Sequence, residues 1–370
     1  MDFKFFRNVI LKALVLFLVL NAILIALPTA SSAHQPSLYN SLVPGRERFP
    51  FGETPQQAYN FSLYDLEAMF ASHEVSAPVR GDTTVRVFVL GDSSAWGTLL
   101  TNEETLTGQL NALNLQCGQK QMQFFNLGYP TISVSKDLML LQRALQEQPD
   151  AILWPTTLEA FPLDKQLASP LAANNLKQIE TLVNQFNLPL VLPAENNSLW
   201  QRTLWGRRRA IADWIRLQLY AIPYAATGID QIYPHFTPAA WDLEADESFY
   251  QFNPPEMERN QLLYQALPAA SDMLGQLPLL VVNEPIMISA GENSDVRYNY
   301  FYPRWAYDQY RQDLAQAAAQ HNIALVDAWD WVDAHQFTNS AIHLTPAGEL
   351  VFAQRLVGNV MQTLCRESGN

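Results

Sequence analysis

Two short stretches of this sequence carry residue types that could do nucleophilic chemistry together. Gly91-Asp92-Ser93-Ser94-Ala95-Trp96-Gly97 directly follows the apolar run Val85–Leu90. A serine just beyond a strand of a parallel sheet stands where ligands gather, beside backbone amides able to stabilise an oxyanion. By itself Gly-Asp-Ser is also ordinary turn composition. The second stretch, Asn339-Ser340-Ala341-Ile342-His343-Leu344-Thr345-Pro346-Ala347-Gly348, leads into the last predicted helix. A histidine at the mouth of a helix suits a general base, with a pKa expected near the working pH. Alone it would read as a surface or capping residue. A serine loop after the first strand and a histidine before the last helix are harder to assign to chance.

The elements that must bring these stretches together follow from the apolar pattern. Val85–Leu90, Met122–Leu127, Ala151–Trp154, Leu279–Asn283 and Ile323–Asp327 read as short buried strands. Helical patterns alternate with them over Glu103–Leu113, Lys136–Gln148, Arg304–His321 and Pro346–Thr363. Thr101 or Asn102 is expected to cap the first of these helices and Thr345 the last. Strands alternating with helices predict an α/β fold, a parallel sheet of about five strands with crossover helices. Residues 162–275 interrupt the alternation and read as a helical and irregular insertion. Within it, Trp205–Tyr220 mixes Arg207, Arg208 and Arg209 with Trp205, Trp214, Leu217 and Leu219. Such a segment could lie at a membrane surface; the expectation is a helix that packs its aromatic face on the core. The loop from Asn283 through Glu284, Ser289, Gly291, Asn293, Asp295, Arg297, Tyr298 and Asn299 reads either as pocket lining for a hydroxyl-rich ligand or as a solvated loop.

Gly91-Asp92-Ser93 and His343-Leu344-Thr345-Pro346-Ala347-Gly348 resemble the first and last sequence blocks of the SGNH/GDSL hydrolases. The resemblance covers roughly residues 81–362, apart from much of the insertion. It implies a flavodoxin-like three-layer sandwich, Ser93 as nucleophile and His343 as the base that takes its proton. It also implies acyl transfer with no metal or organic cofactor. Three positions depart from the family pattern. Ser340 stands where the family has an aspartate, so Asn339 is the nearest side chain able to orient the imidazole, with Asp327 and Asp333 as substitutes. Thr131, in Asn126-Leu127-Gly128-Tyr129-Pro130-Thr131, falls where a glycine amide normally faces the oxyanion. In Trp154-Pro155-Thr156-Thr157-Leu158-Glu159 the position of the oxyanion-binding asparagine falls at Glu159. An ionised carboxylate there would repel an oxyanion, so a hydroxyl of Thr156 or Thr157 is expected to donate instead, unless Glu159 is protonated or the chemistry differs.

Composition narrows the function classes. Of 370 residues, 48% are hydrophobic and 16% charged, which fits a globular chain. A net charge of −13 argues against nucleic acid as a partner. Lys4, Arg7 and Lys12 precede or interrupt the apolar stretch Val9–Leu27, so residues 1–33 read as a signal peptide or membrane anchor. Ser31-Ser32-Ala33 would suit cleavage, and residues 34–80 read as a membrane-proximal lead-in to a domain over 81–370. Either way the bulk of the chain is expected outside the cytoplasm, on a single-pass anchor in the cell membrane or secreted. Cys117 and Cys365 could pair in an oxidising compartment, or remain two thiols. The expected function is hydrolysis or transfer of ester-linked acyl groups on envelope carbohydrate or lipid. The rival reading is a catalytically degenerate domain that binds glycan or an assembly partner, which Glu159 favours.

Overall fold

The computed structural model describes residues 3–26, 45–49, 51, 66–76, 83–193, 198–227 and 235–365. Ser31-Ser32-Ala33 and much of the lead-in lie outside them. The chain opens with α1 (Phe3–Ala26) and α2 (Leu66–Ala71). The first half of the sheet follows: β1 (Thr84–Val89), α3 (Ser93–Trp96), α4 (Leu106–Ala112), β2 (Gln116–Cys117), β3 (Lys120–Asn126), α5 (Val134–Ala144) and β4 (Ala151–Thr156). The insertion carries α6 (Pro170–Asn174), α7 (Leu176–Phe186), α8 (Leu199–Arg202) and α9 (Arg208–Thr227). Then come α10 (Ala266–Leu274), β5 (Leu279–Asn283), α11 (Arg304–Gln320), β6 (Ala324–Asp327) and α12 (Pro346–Leu364).

The sheet order is β2-β3-β1-β4-β5-β6. All neighbours are parallel except the short edge pair β2–β3, which makes six strands where about five were expected. The two-residue β2 escapes pattern reading because it is too short to show a period. Numbered along the chain, the five parallel strands run second-first-third-fourth-fifth, the flavodoxin-like order. Consecutive residues of β1 serve opposite faces, because strand side chains alternate. Val87 and Val89 pack with Leu106 and Leu110 of α4 and Phe352, Leu356 and Val360 of α12. Phe88 joins Leu138 and Leu141 of α5, Leu267 of α10 and Tyr307 of α11 on the other side. With both faces covered, β4 and β5 are buried throughout, which is why they read as continuous apolar runs.

Several boundaries sharpen. Thr101 forms a capping box on a short 3-10 turn, and Thr105 caps α4 by accepting from the Gly108 amide at 3.1 Å. Thr345 caps α12 as expected, accepting from Gly348 N at 3.1 Å. α10 packs its buried Leu267, Ala270 and Leu274 into the same layer as α5, so it serves as the β4–β5 crossover helix and the irregular part of the insertion ends before it. Parts of the lead-in belong to the core as well: Phe49, Met69, Phe70 and Val75 are buried. Cys117 and Cys365 are joined as a disulfide that ties edge strand β2 to the end of α12. By length and composition α1 is a candidate membrane span or signal sequence.

Part of the aromatic face of the insertion departs from expectation, while the side chains of Trp214 and Leu217 lie outside the described residues. Trp205 and Leu219 are exposed rather than packed on the core. The polar loop after β5 divides: Glu284 lines a small crevice with Ser94, Pro155 and Ile342, Asp295 is exposed, and most of the other polar groups are drawn inward. Asn283, Glu284, Ser289, Arg297 and Asn299 are buried and bonded within the protein. Arg297, for instance, donates to the carbonyls of Asp246, Asn299 and Tyr300.

Candidate active site

Ser93 is the first residue of α3, at the carboxyl end of β1 where the strand order reverses. The turn that delivers it needs glycine. Gly91 has φ +129, and a Cβ there would lie 2.7 Å from Ala95 Cβ and 3.2 Å from the Pro155 carbonyl. Asp92 caps the helix by accepting from Ser94 N at 2.8 Å. On the far side, an isolated bridge between Phe337 and Leu344, with Thr338 N donating to His343 O at 2.8 Å, closes a tight loop over residues 338–343. Met287 N donates to Ala341 O at 2.7 Å, which seats that loop on the chain leaving β5.

These two loops meet. The Ser93 hydroxyl lies 2.8 Å from His343 Nε2, and His343 Nδ1 lies 2.8 Å from Asn339 Oδ1. Asn339 Oδ1 is purely an acceptor, and it also receives the Thr338 hydroxyl at 3.3 Å. The imidazole proton therefore sits on Nδ1, which leaves the Nε2 lone pair to accept from Ser93. Burial pulls the His343 pKa down from 6.5 to about 4, below the near-neutral value expected, so the ring is neutral at neutral pH.

The two aspartates considered as substitutes are committed elsewhere. Asp327 accepts from Asn283 Nδ2 at 2.7 Å and from Arg311 Nε at 2.9 Å. Asp333 is exposed and caps the turn at His335, whose amide it accepts at 2.9 Å. The oxyanion candidates separate similarly. Thr131 has φ +95, a backbone that a threonine adopts only under strain and a glycine takes freely, and its hydroxyl pairs with Ser169 at 2.7 Å. Thr157 Oγ1 lies 2.8 Å from the Tyr302 hydroxyl, both buried. Thr156 Oγ1, at the end of β4, is buried with no hydrogen-bond partner. The Glu159 carboxylate is bound by Lys165 and by the Tyr250 hydroxyl.

Sequence reasoning missed the groups that hold the serine loop in place. Lys136, on α5 and fully buried, donates to Gly91 O at 2.8 Å and Tyr129 O at 2.7 Å, tying the serine loop to the loop after β3. Its charge is met by Asp137 at 2.9 Å. Arg48 donates to the carbonyls of Trp96, Gly97 and Leu100 at 3.1, 2.9 and 3.0 Å, with its guanidinium 4.5 Å from the Trp96 ring centroid. Ser94 donates to the Glu284 carboxyl, whose pKa is raised well above the carboxylate range by burial and by the nearby Asp92. Lys136 reads as an ordinary polar residue of the first turn of α5, and nothing local marks Arg48 as a partner of a loop so distant in sequence. Among the described residues, no group of three or more His, Cys, Asp or Glu side chains is gathered as a metal site would require.

No family model matches the chain, and no curated protein matches it. Solved structures do. A lipolytic protein of the G-D-S-L family from Veillonella parvula is 12% identical, with 74% of this chain and 96% of that one covered and a TM-score of 0.35. Est24, a carbohydrate acetylesterase from Sinorhizobium meliloti, is 13% identical over 75% and 98% of the two chains, at a TM-score of 0.35. A lipase/acylhydrolase from Enterococcus faecalis is 12% identical over 76% and 100%, at a TM-score of 0.37.

Proposed function

We propose that this chain is an SGNH-type serine ester hydrolase or O-acyltransferase. The observation that carries the reading is the hydrogen-bonded chain Ser93–His343–Asn339 at the carboxyl edge of the sheet. In the first half-reaction the Ser93 proton passes to His343 Nε2 as Oγ attacks the ester carbonyl carbon. Asn339 keeps the ring in the tautomer that can accept this proton. The carbonyl electrons move to oxygen, and backbone amides of the serine loop with the Thr131 backbone and the Thr156 hydroxyl are the groups offered to the oxyanion. Collapse expels the alcohol, which takes the proton back from His343, and leaves an acyl ester on Ser93. Water or an acceptor hydroxyl then repeats the sequence in reverse.

The substrate class proposed is an ester-linked acyl group on envelope carbohydrate or lipid, met outside the cytoplasm. The Cys117–Cys365 pairing supports that location, because disulfides persist in oxidising compartments. Basic residues Lys4, Arg7 and Lys12 at the start of α1 support an anchor with its amino end in the cytoplasm. The test is labelling of the purified full chain with a fluorophosphonate, which modifies activated serines. Labelling that disappears in Ser93→Ala and His343→Ala is expected. A folded wild type that stays unlabelled would replace this reading with that of a non-catalytic binding domain.

A further inference from the structure

We infer that the segment Leu199–Leu219 lies on a lipid bilayer carrying anionic headgroups, as a second membrane contact beside α1. The inference rests on the reading that α1 stays in the membrane. α1 has 24 residues, about 36 Å at the helical rise, against a hydrocarbon core of about 30 Å. A spanning α1 therefore carries its last turn into the headgroup layer. The insertion touches α1 over its last two turns, at Asn21 and Ile25. Leu204 N donates to Asn21 Oδ1 at 2.9 Å, and the Arg202 guanidinium donates to the Ile25 carbonyl. α8 and the turn that leads into α9 are thus held against the outer end of α1.

The chemistry of the segment fits the headgroup layer. Leu199, Trp200 and Trp205 are 67%, 63% and 57% exposed, and Leu219 on α9 is exposed too. An apolar surface of this kind beside a membrane span is covered at low cost by the upper acyl chains, with the indoles at the carbonyl level. Arg202, Arg207, Arg208, Arg209 and Arg216 share the segment with one acid, Asp213, in a chain whose net charge is −13. Concentrating cations here, against the sign of the whole molecule, complements anionic headgroups. Arg208 lies 4.9 Å from the Trp205 ring centroid and donates to its carbonyl at 2.6 Å, so a cationic and an aromatic group are presented together. Docking at two points would fix the orientation of the domain relative to the bilayer, which a single helix does not.

The experiment reconstitutes the full chain in vesicles of equal parts phosphatidylcholine and phosphatidylglycerol, with bromine on the acyl chains near the glycerol backbone. α1 contains no tryptophan, so quenching of indole emission reports on the rest of the chain. The expected result is partial quenching that a Trp200→Ser/Trp205→Ser variant loses for the most part, while both proteins float with the vesicles after an alkaline wash. Both indoles are exposed, so the variant keeps its core. Protein that resists the wash but shows no more quenching than the variant overturns the inference and leaves the anchor intact. Protein stripped by the wash overturns the anchor reading, and this inference with it.

Discussion

His343 Nδ1 and Asn339 Oδ1 stand 2.8 Å apart on one six-residue loop, so a neutral amide occupies the place of an orienting acid. The amide fixes the tautomer but brings no charge to stabilise an imidazolium. Asn339→Ala should lower kcat by about 10- to 1,000-fold in an ester hydrolysis assay, less than the loss on Ser93→Ala or His343→Ala, because the base would keep its place while losing its tautomer lock. Equal losses in all three variants would argue that Asn339 holds the loop together rather than the ring.

The acid limb of the pH–rate profile should lie near the His343 pKa of about 4. Burial opposes the imidazolium, so the ring stays a competent base as the pH falls through 6 and 5 and is lost only when it protonates. Asn339→Asp adds a negative charge beside Nδ1, favours the protonated ring and should move that limb towards neutrality. A profile of kcat/KM against pH checks both, and an Asn339→Asp limb at or below that of wild type would contradict the geometry.

Folding stability should respond to pH through His73 and Glu349 in opposite senses. Burial lowers His73 to about 4, with Nε2 2.8 Å from the Asn126 carbonyl and Nδ1 accepting from Val75 N at 3.0 Å. The unfolded chain binds this proton more readily, so stability is lost as pH falls from 6.5 towards 4. Burial raises Glu349 to about 8, so its contribution is present below 4.5 and is lost as pH rises through 8. Glu349→Gln should therefore raise Tm relative to wild type at pH 9 more than at pH 5, which thermal melts at the two values would show.

Arg48 bears on the serine loop through the carbonyls of Trp96, Gly97 and Leu100 and through its packing over Trp96. Arg48→Ala removes donors from three buried acceptors and the packing over Trp96, so kcat should fall by about 10- to 100-fold with KM little changed. Arg48→Lys should recover little, since an ammonium cannot reproduce the planar fork. An unaltered fluorophosphonate labelling rate in Arg48→Ala would remove Arg48 from the positioning of Ser93.

Opening the Cys117–Cys365 bridge should cost about 2–5 kcal/mol, since it closes a loop with a sequence separation of 248. Cys117→Ser/Cys365→Ser measured by urea unfolding checks this. A midpoint equal to that of the oxidised wild type would mean that the packing of α12 alone holds the edge strand.

The sequence by itself determined the parallel strands and the helices that cross between them, while the pairing of Ser93 with His343 was what the resemblance of two sequence blocks implied. Strands and helices follow local or periodic signals: β5 runs over Leu279–Asn283 as its apolar run states, and Thr345 caps α12 because a hydroxyl there reaches the third amide on. What surrounds the serine was decided only by tertiary structure. Asn339 was already the first choice by its nearness to His343 in sequence, but only the fold shows Asp327 claimed by Arg311 and Asn283. Glu159 looked repulsive as a lone carboxylate until Lys165 and Tyr250 came against it. Lys136 lies in the first turn of α5, and only the fold brings Gly91 and Tyr129 to its ammonium. The electrostatics of a buried site depend on partners within a few ångströms, and such neighbours are set by packing rather than by spacing along the chain.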